Sequence, residues 1–177
     1  ESPDPLRRWV RGDGSGEFPV ETGRYHLYVS YACPWASHAL LMRKLKGLED
    51  VIGLTAVAPD RGEAGWRFTS ERPDPVNGWQ YLSEGYDATD PTYDDSATVP
   101  VLWDKQHSTI VSNDSADIVE MFNSEFNELA ERPELDYFPE ALRQEIDELN
   151  PRIREEVTTG VYWTVFSRSQ EEYDANV

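Results

Sequence analysis

A mixed α/β domain followed by the start of an all-helical one is the architecture this sequence predicts, and three observations carry it. Residues 25 to 30 alternate, with Tyr25, Leu27 and Val29 on one face, and run into Tyr31-Ala32-Cys33-Pro34-Trp35-Ala36 and an amphipathic stretch. The order is strand, Cys-Pro, helix. A second apolar run from 51 to 57 completes a β-α-β unit, hence a parallel strand pair. Beyond residue 139 the apolar residues keep helical spacing and no strand signal returns.

The first helix is bracketed by its ends. Pro34 suits the first turn, where its missing N–H would have no partner anyway, and Gly47 suits the stop. Between them Ala36, Leu40, Leu41 and Leu45 are the expected apolar face. Residues 59 to 95, rich in Pro, Gly, Asp and Tyr, form a long insert of a kind that is usually functional, with a short helix expected from Trp79 to Glu84. Thr98 to Trp103 and Thr109 to Val111 read as paired strands, and the helix after them turns Ile118, Met121 and Phe122 inward. A polar linker is expected from Glu128 to Pro139. Leu142, Ile146, Leu149, Ile153, Val157, Val161 and Tyr162 then repeat at helical spacing, and Ser169-Gln170-Glu171-Glu172 is a capping-box pattern. The expected domains are therefore 1–128, with an insert at 59–95, and 139–177. The chain opens on Glu1 rather than Met and begins a helix barely two turns before Val177, so the front part of a longer protein is expected.

Composition narrows the function classes. Acidic residues number 34 against 16 basic, a net charge of −18, and only Lys44, Lys46 and Lys105 are lysines. Such a surface suits high salt, where self-repulsion is screened. Six Trp, nine Tyr and six Phe argue for a packed core rather than an acidic disordered chain. Nucleic acid is disfavoured as a partner, since no basic stripe could neutralise phosphates. No apolar run is long enough to span a bilayer, so no membrane partner is expected.

Cys33 carries the chemistry. A lone cysteine is most often a small buried hydrophobe. Here it stands at a helix start, partly exposed and beside free backbone N–H groups, a position that stabilises a thiolate. A dithiol oxidoreductase would carry Cys-x-x-Cys, and the fourth position is Ala36. With one cysteine in the chain, any disulfide cycle must be completed by an external thiol, and a reducing, cytoplasmic setting is the economical reading. Three scattered histidines, His26, His38 and His107, give no metal-ligand spacing, so no metal is expected.

Taken together, Tyr31-Ala32-Cys33-Pro34-Trp35-Ala36, Lys44-Leu45-Lys46-Gly47-Leu48-Glu49, Gly65-Trp66-Arg67-Phe68, Thr98-Val99-Pro100-Val101-Leu102-Trp103-Asp104 and Gly160-Val161-Tyr162 resemble the glutathionyl-hydroquinone reductases, the Xi class of glutathione transferases. The resemblance runs from about Arg8 onward. It implies a thioredoxin-like domain followed by part of the helical transferase domain, in a protein about twice this length whose intact form is a homodimer. The implied reaction takes a glutathionyl-hydroquinone and a second glutathione to hydroquinone and oxidised glutathione, with Cys33 as nucleophile. Trp66 would line the thiol site. Val99, before a cis Pro100, would pair its backbone with the cysteinyl part of the thiol. Pro34 and Pro100 would be the scaffold prolines. Asp114 and Ser115 would receive the γ-glutamyl end, the serine its carboxylate at a helix start and the aspartate its amino group. Tyr162 would face the aromatic substrate from the second domain.

Departures from the class bear on the thiol. Ser37-His38-Ala39 stands where the class has His-Arg-Thr, Ser96-Ala97 replaces a basic residue before Thr-Val-Pro, and Asp114 is a methylene shorter than the usual Glu. Positive charge near the site is lost, so the co-substrate is glutathione or a related γ-glutamyl thiol such as γ-glutamylcysteine. Two other functions stay open: an Omega- or glutaredoxin-like transferase acting on small disulfides or dehydroascorbate, and a thioredoxin-fold binding module with an inert cysteine.

Overall fold

The computed structural model describes residues 4–177; Glu1, where the first expected domain begins, lies outside the described residues. The chain divides after Asp136 into two compact units. In the first, a two-stranded parallel pair not foreseen from the sequence, β1 (Val10–Arg11) and β2 (Phe18–Pro19), precedes a four-stranded sheet. That sheet consists of β3 (Tyr25–Val29), β4 (Gly53–Ala56), β5 (Val101–Asp104) and β6 (Thr109–Ser112), in the order β4-β3-β5-β6. β3 and β4 run parallel, and β5 and β6 are antiparallel to their neighbours. The helices are α1 (Pro34–Lys46), α2 (Ser83–Thr89) and α3 (Ser115–Ser124), with α1 packed on α3 and α2 against β6.

Every residue of β3 is buried, so both faces of the sheet are covered. Tyr25 meets Phe126, just past α3, edge to face at 5.7 Å. Its neighbours His26 and Tyr28 point the other way, into the insert. The Tyr28 ring lies 5.6 Å from Phe68 and 5.9 Å from Trp79, and its hydroxyl donates to buried Asp74 at 2.8 Å. Asp74 also accepts from the N–H groups of Val76, Asn77 and Trp79, so a single carboxylate folds the turn that covers this face.

Two expectations need correction. Residues 79 to 82 are not helical: the Phe68 N–H donates to the Gln80 carbonyl and the Leu82 N–H to the Trp66 carbonyl, each at 2.9 Å, so this stretch pairs with residues 66–68. The helix starts at Ser83, and the Glu84 carboxylate in its first turn accepts from the N–H groups of Gln80 and Tyr81 in the approach to it. Nor is the α1 face the expected one. Leu41 is 58% and Leu45 39% exposed, while Ala36, Ala39, Met42, Arg43 and Lys46 are buried. Burial of the two cations is tolerated because their charged ends are solvated by the chain. Arg43 donates to the carbonyls of Ile52 and Glu49, and Lys46 to the Asn127 amide oxygen and the carbonyls of Leu135 and Pro133. Gly47 ends α1 in the left-handed region at φ 68°, with Glu131 packed where a Cβ would be.

The second unit is helical: a 3-10 turn at Glu140–Leu142, α4 (Arg143–Ile153), a π-helical stretch Arg154–Thr159, α5 (Gly160–Val165) and α6 (Gln170–Asn176). Pro151 sits inside α4 without an N–H to donate, and the wide turn follows it. Ser169 caps α6 by accepting from the Glu172 N–H at 3.1 Å, and Glu172 accepts in return from the Arg168 N–H. None of these elements contains a buried residue. Among the described residues no helix is long and apolar enough to cross a membrane.

Candidate functional site

Strand directions bring the expected residues of the first unit to one edge of the sheet. β3 and β4 end there, β5 begins there opposite Tyr28, and β6 ends there with Ser112 opposite Leu102. Cys33 follows β3, Trp66 lies in the insert that follows β4, Val99 precedes β5, and Asp114 and Ser115 follow β6. Across the sheet the order is therefore Trp66, Cys33, Val99, Asp114-Ser115.

Cys33 is the N-cap of α1, with extended backbone (φ −97°, ψ 115°), Pro34 behind it and no side-chain cap. Its carbonyl accepts from the Ser37 N–H and hydroxyl, both at 3.2 Å, and its N–H donates to the Ser30 carbonyl at 3.0 Å. Cys33 is thus half-buried at the N-terminus of α1, the positive end of the helix, with its sulfur in no hydrogen bond to a first-turn N–H. The thiol donates to the Val99 carbonyl at 3.5 Å. The Val99–Pro100 peptide is cis. Trp66 is half-buried against the core, its carbonyl tied to Leu82.

Asp114 caps α3. Its Oδ1 accepts from the N–H groups of Ala116 at 2.9 Å and Asp117 at 3.2 Å, and Ser115 is the first helical residue. Arg7, which the sequence pattern did not single out, donates to both carboxylate oxygens of Asp117 at 2.9 and 2.7 Å and comes within 3.8 Å of Asp114. The hydrogen bonds to Asp117 hold its guanidinium more firmly protonated than usual. Tyr86 was likewise missed; its hydroxyl bonds both Thr98, before Val99, and Asn113, before Asp114. Nothing in the sequence marked it beyond its being an aromatic residue in the 59–95 insert, outside the expected helix. Tyr162 belongs to the second unit, where its ring stacks on Phe166 at 6.3 Å. Among the described residues no group of three or more His, Cys, Asp or Glu is arranged to hold a metal ion.

The family model of the glutathione S-transferase N-terminal domain matches residues 32–125, the stretch that contains Cys33, Trp66, Val99, Asp114 and Ser115. The chain belongs to the glutathione S-transferase family. Its thioredoxin-like domain, with a mixed sheet followed by helices, is the family's N-terminal fold. Glutathionyl-hydroquinone reductase YqjG of Escherichia coli (strain K12) is 46% identical over 186 residues, covering 99% of this chain and 56% of that protein. The glutathione-bound structure of YqjG superposes with a TM-score of 0.91 at 46% identity, over 97% of this chain and 59% of that one. A glutathione transferase Xi from Phanerochaete chrysosporium gives the same TM-score, 0.91, at 46% identity and with the same coverage, 97% and 59%. The chain spans about half the length of the curated relatives it matches, 56%, 53% and 53% for three of them.

Proposed function

We propose that this chain carries the thiol site of a glutathionyl-hydroquinone reductase that works through Cys33 alone. One observation carries the reading: a cysteine with no partner in the chain caps α1, its sulfur 3.5 Å from the carbonyl of Val99 before cis Pro100. In the first step the Cys33 thiolate attacks the sulfur of the bound conjugate. A Cys33–S bond forms, the sulfur–aryl bond breaks, and its electron pair leaves with the ring, which takes a proton and departs as hydroquinone. A second thiolate then attacks the mixed disulfide, forming the external disulfide and restoring the Cys33 thiolate. Pro34 and Pro100 are the scaffold of this site.

The co-substrate is glutathione or a related γ-glutamyl thiol, lying across the sheet edge. Its cysteinyl backbone pairs with Val99, its γ-glutamyl carboxylate meets the α3 start at Ser115, and its amino group meets Asp114, which also caps the helix. Trp66 lines the far end, and Tyr162 is the aromatic-substrate residue. YqjG, whose structure holds glutathione, supports the thiol class. The net charge of −18 and the single cysteine support a high-salt, cytoplasmic setting, and the whole protein is proposed to act as a homodimer without metal.

Comparing turnover tests the reading. A glutathionyl-hydroquinone should be consumed faster than a small glutathione mixed disulfide or dehydroascorbate. The reverse order would favour an Omega-like transferase. Iodoacetamide labelling separates either enzyme from a binding module, in which the thiol would stay unmodified near neutral pH.

A further inference from the structure

Tyr86 joins the two stretches of chain that the proposed thiol site needs at a fixed spacing. Its ring is 1% exposed. The hydroxyl donates to the Thr98 carbonyl at 2.9 Å, with the Thr98 side-chain oxygen at 3.1 Å, and accepts from the Thr98 N–H at 3.1 Å and the Asn113 amide at 3.3 Å. Thr98 leads into Val99, and Asn113 leads into Asp114 and Ser115. One phenol oxygen therefore holds the approach to β5 against the exit from β6.

The helix that carries Tyr86 is itself fixed. Thr89 donates to the Gly85 carbonyl and accepts from the Ile110 N–H of β6, both at 2.8 Å. Gly85 lies so close to Trp79 that a Cβ there would come within 2.7 Å of the indole. The Tyr93 ring leans on Tyr86 at 4.9 Å. The Tyr86 hydroxyl bonds the residues just before Val99 and just before Asp114, so its influence on thiol chemistry runs through backbone placement.

We infer that Tyr86 is the positioning residue that sets the distance between the backbone edge at Val99 and the γ-glutamyl pocket at Asp114-Ser115, and so selects γ-glutamyl thiols over thiols lacking that group. This rests on the proposed reading that those two stretches bind the thiol. Tyr86→Phe keeps the ring and removes the one oxygen that spans both. The Val99 edge and the α3 start are then free to shift relative to each other, and a ligand that must engage both at once loses most.

The test follows the rate of Cys33 adduct formation against disulfide concentration, using the full chain. With glutathione disulfide the Cys33 thiolate forms Cys33–S–glutathione and expels one glutathione thiolate. With 2-hydroxyethyl disulfide the same exchange releases 2-mercaptoethanol and makes no γ-glutamyl contact. Tyr86→Phe should raise the half-saturating glutathione disulfide concentration about tenfold, leave the maximal rate within about twofold, and leave the 2-hydroxyethyl disulfide rate unchanged, the lost interaction being of hydrogen-bond size. Asn113→Ala, which removes one of the two tethers, should shift the same parameter in the same direction and decides the matter if Tyr86→Phe does not fold. A merely structural role would change both disulfides alike, and that result overturns the inference, as does an unchanged half-saturation. A wild-type rate that fails to saturate with glutathione disulfide would instead sink the thiol-site reading beneath it.

Discussion

Lowering the pH should weaken the first unit through one histidine. His26 is 5% exposed, between Thr55 and Tyr28, with its Nε2 in a 2.8 Å hydrogen bond to the Thr55 hydroxyl. Loss of water at this site pushes its pKa down to about 4 from an ordinary 6.5; nearby Asp74 only partly opposes this. The unfolded chain takes up the proton near pH 6.5 and the folded chain only near 4. The contribution of neutral His26 is therefore complete above pH 6.5 and is lost as pH falls toward 4. That separation corresponds to about 3 kcal/mol at most, of which about 2 kcal/mol falls between pH 7 and pH 5. Urea unfolding followed by tryptophan fluorescence, at constant ionic strength, reads it as a midpoint lower by about 1 M at pH 5, for a slope near 2 kcal/mol per molar. His26→Gln keeps a group able to bond Thr55 and removes the titration, so its midpoint should fall much less over the same interval. Parallel profiles for the two proteins would refute the reasoning, because carboxylate effects are common to both.

Other outcomes follow from the same geometry. Gly53→Ala would place a Cβ 2.3 Å from the His26 Nδ1 across the β3–β4 pair, and should cost about 1–3 kcal/mol in the same unfolding experiment, whereas an unchanged midpoint would mean that the ring moves freely. Amides of residues 137–177 should exchange with deuterium faster than those of β3 and β5, since no element of the second unit contains a buried residue while Leu27, Val29 and Leu102 are fully buried; equal protection in a monomer would contradict this. With 18 excess negative charges the melting temperature should rise between dilute buffer and molar salt, and a flat response would remove the high-salt reading.

Much of the first unit was legible because its signals are local. Pro34 and Gly47 bracket α1 at the residues where it starts and stops. The alternation of Tyr25, Leu27 and Val29 marks β3, and Ile118, Met121 and Phe122 are the buried face of α3. What escaped depends on partners distant in sequence. Residues 79–82 stay outside the helix because residues 66–68 supply their hydrogen bonds, and no local propensity reports that. The face of α1 was misread because periodicity counts apolar side chains, whereas Arg43 and Lys46 are buried through carbonyls at 49, 52, 133 and 135. The same holds at the site. Cys33, Val99 and Asp114-Ser115 stand out as motifs, and the sheet order brings them to one edge; Tyr86, which ties two of them together, has no motif.

The central claim is that Cys33 is a reactive thiol that forms a mixed disulfide with a γ-glutamyl thiol. Intact mass after incubation with glutathione disulfide, or with the disulfide of γ-glutamylcysteine, tests it most directly. Wild-type protein should gain one thiol moiety per chain, a second thiol should remove it, and Cys33→Ser should gain none. A wild-type chain left unmodified, or an adduct that survives in Cys33→Ser, would contradict the account.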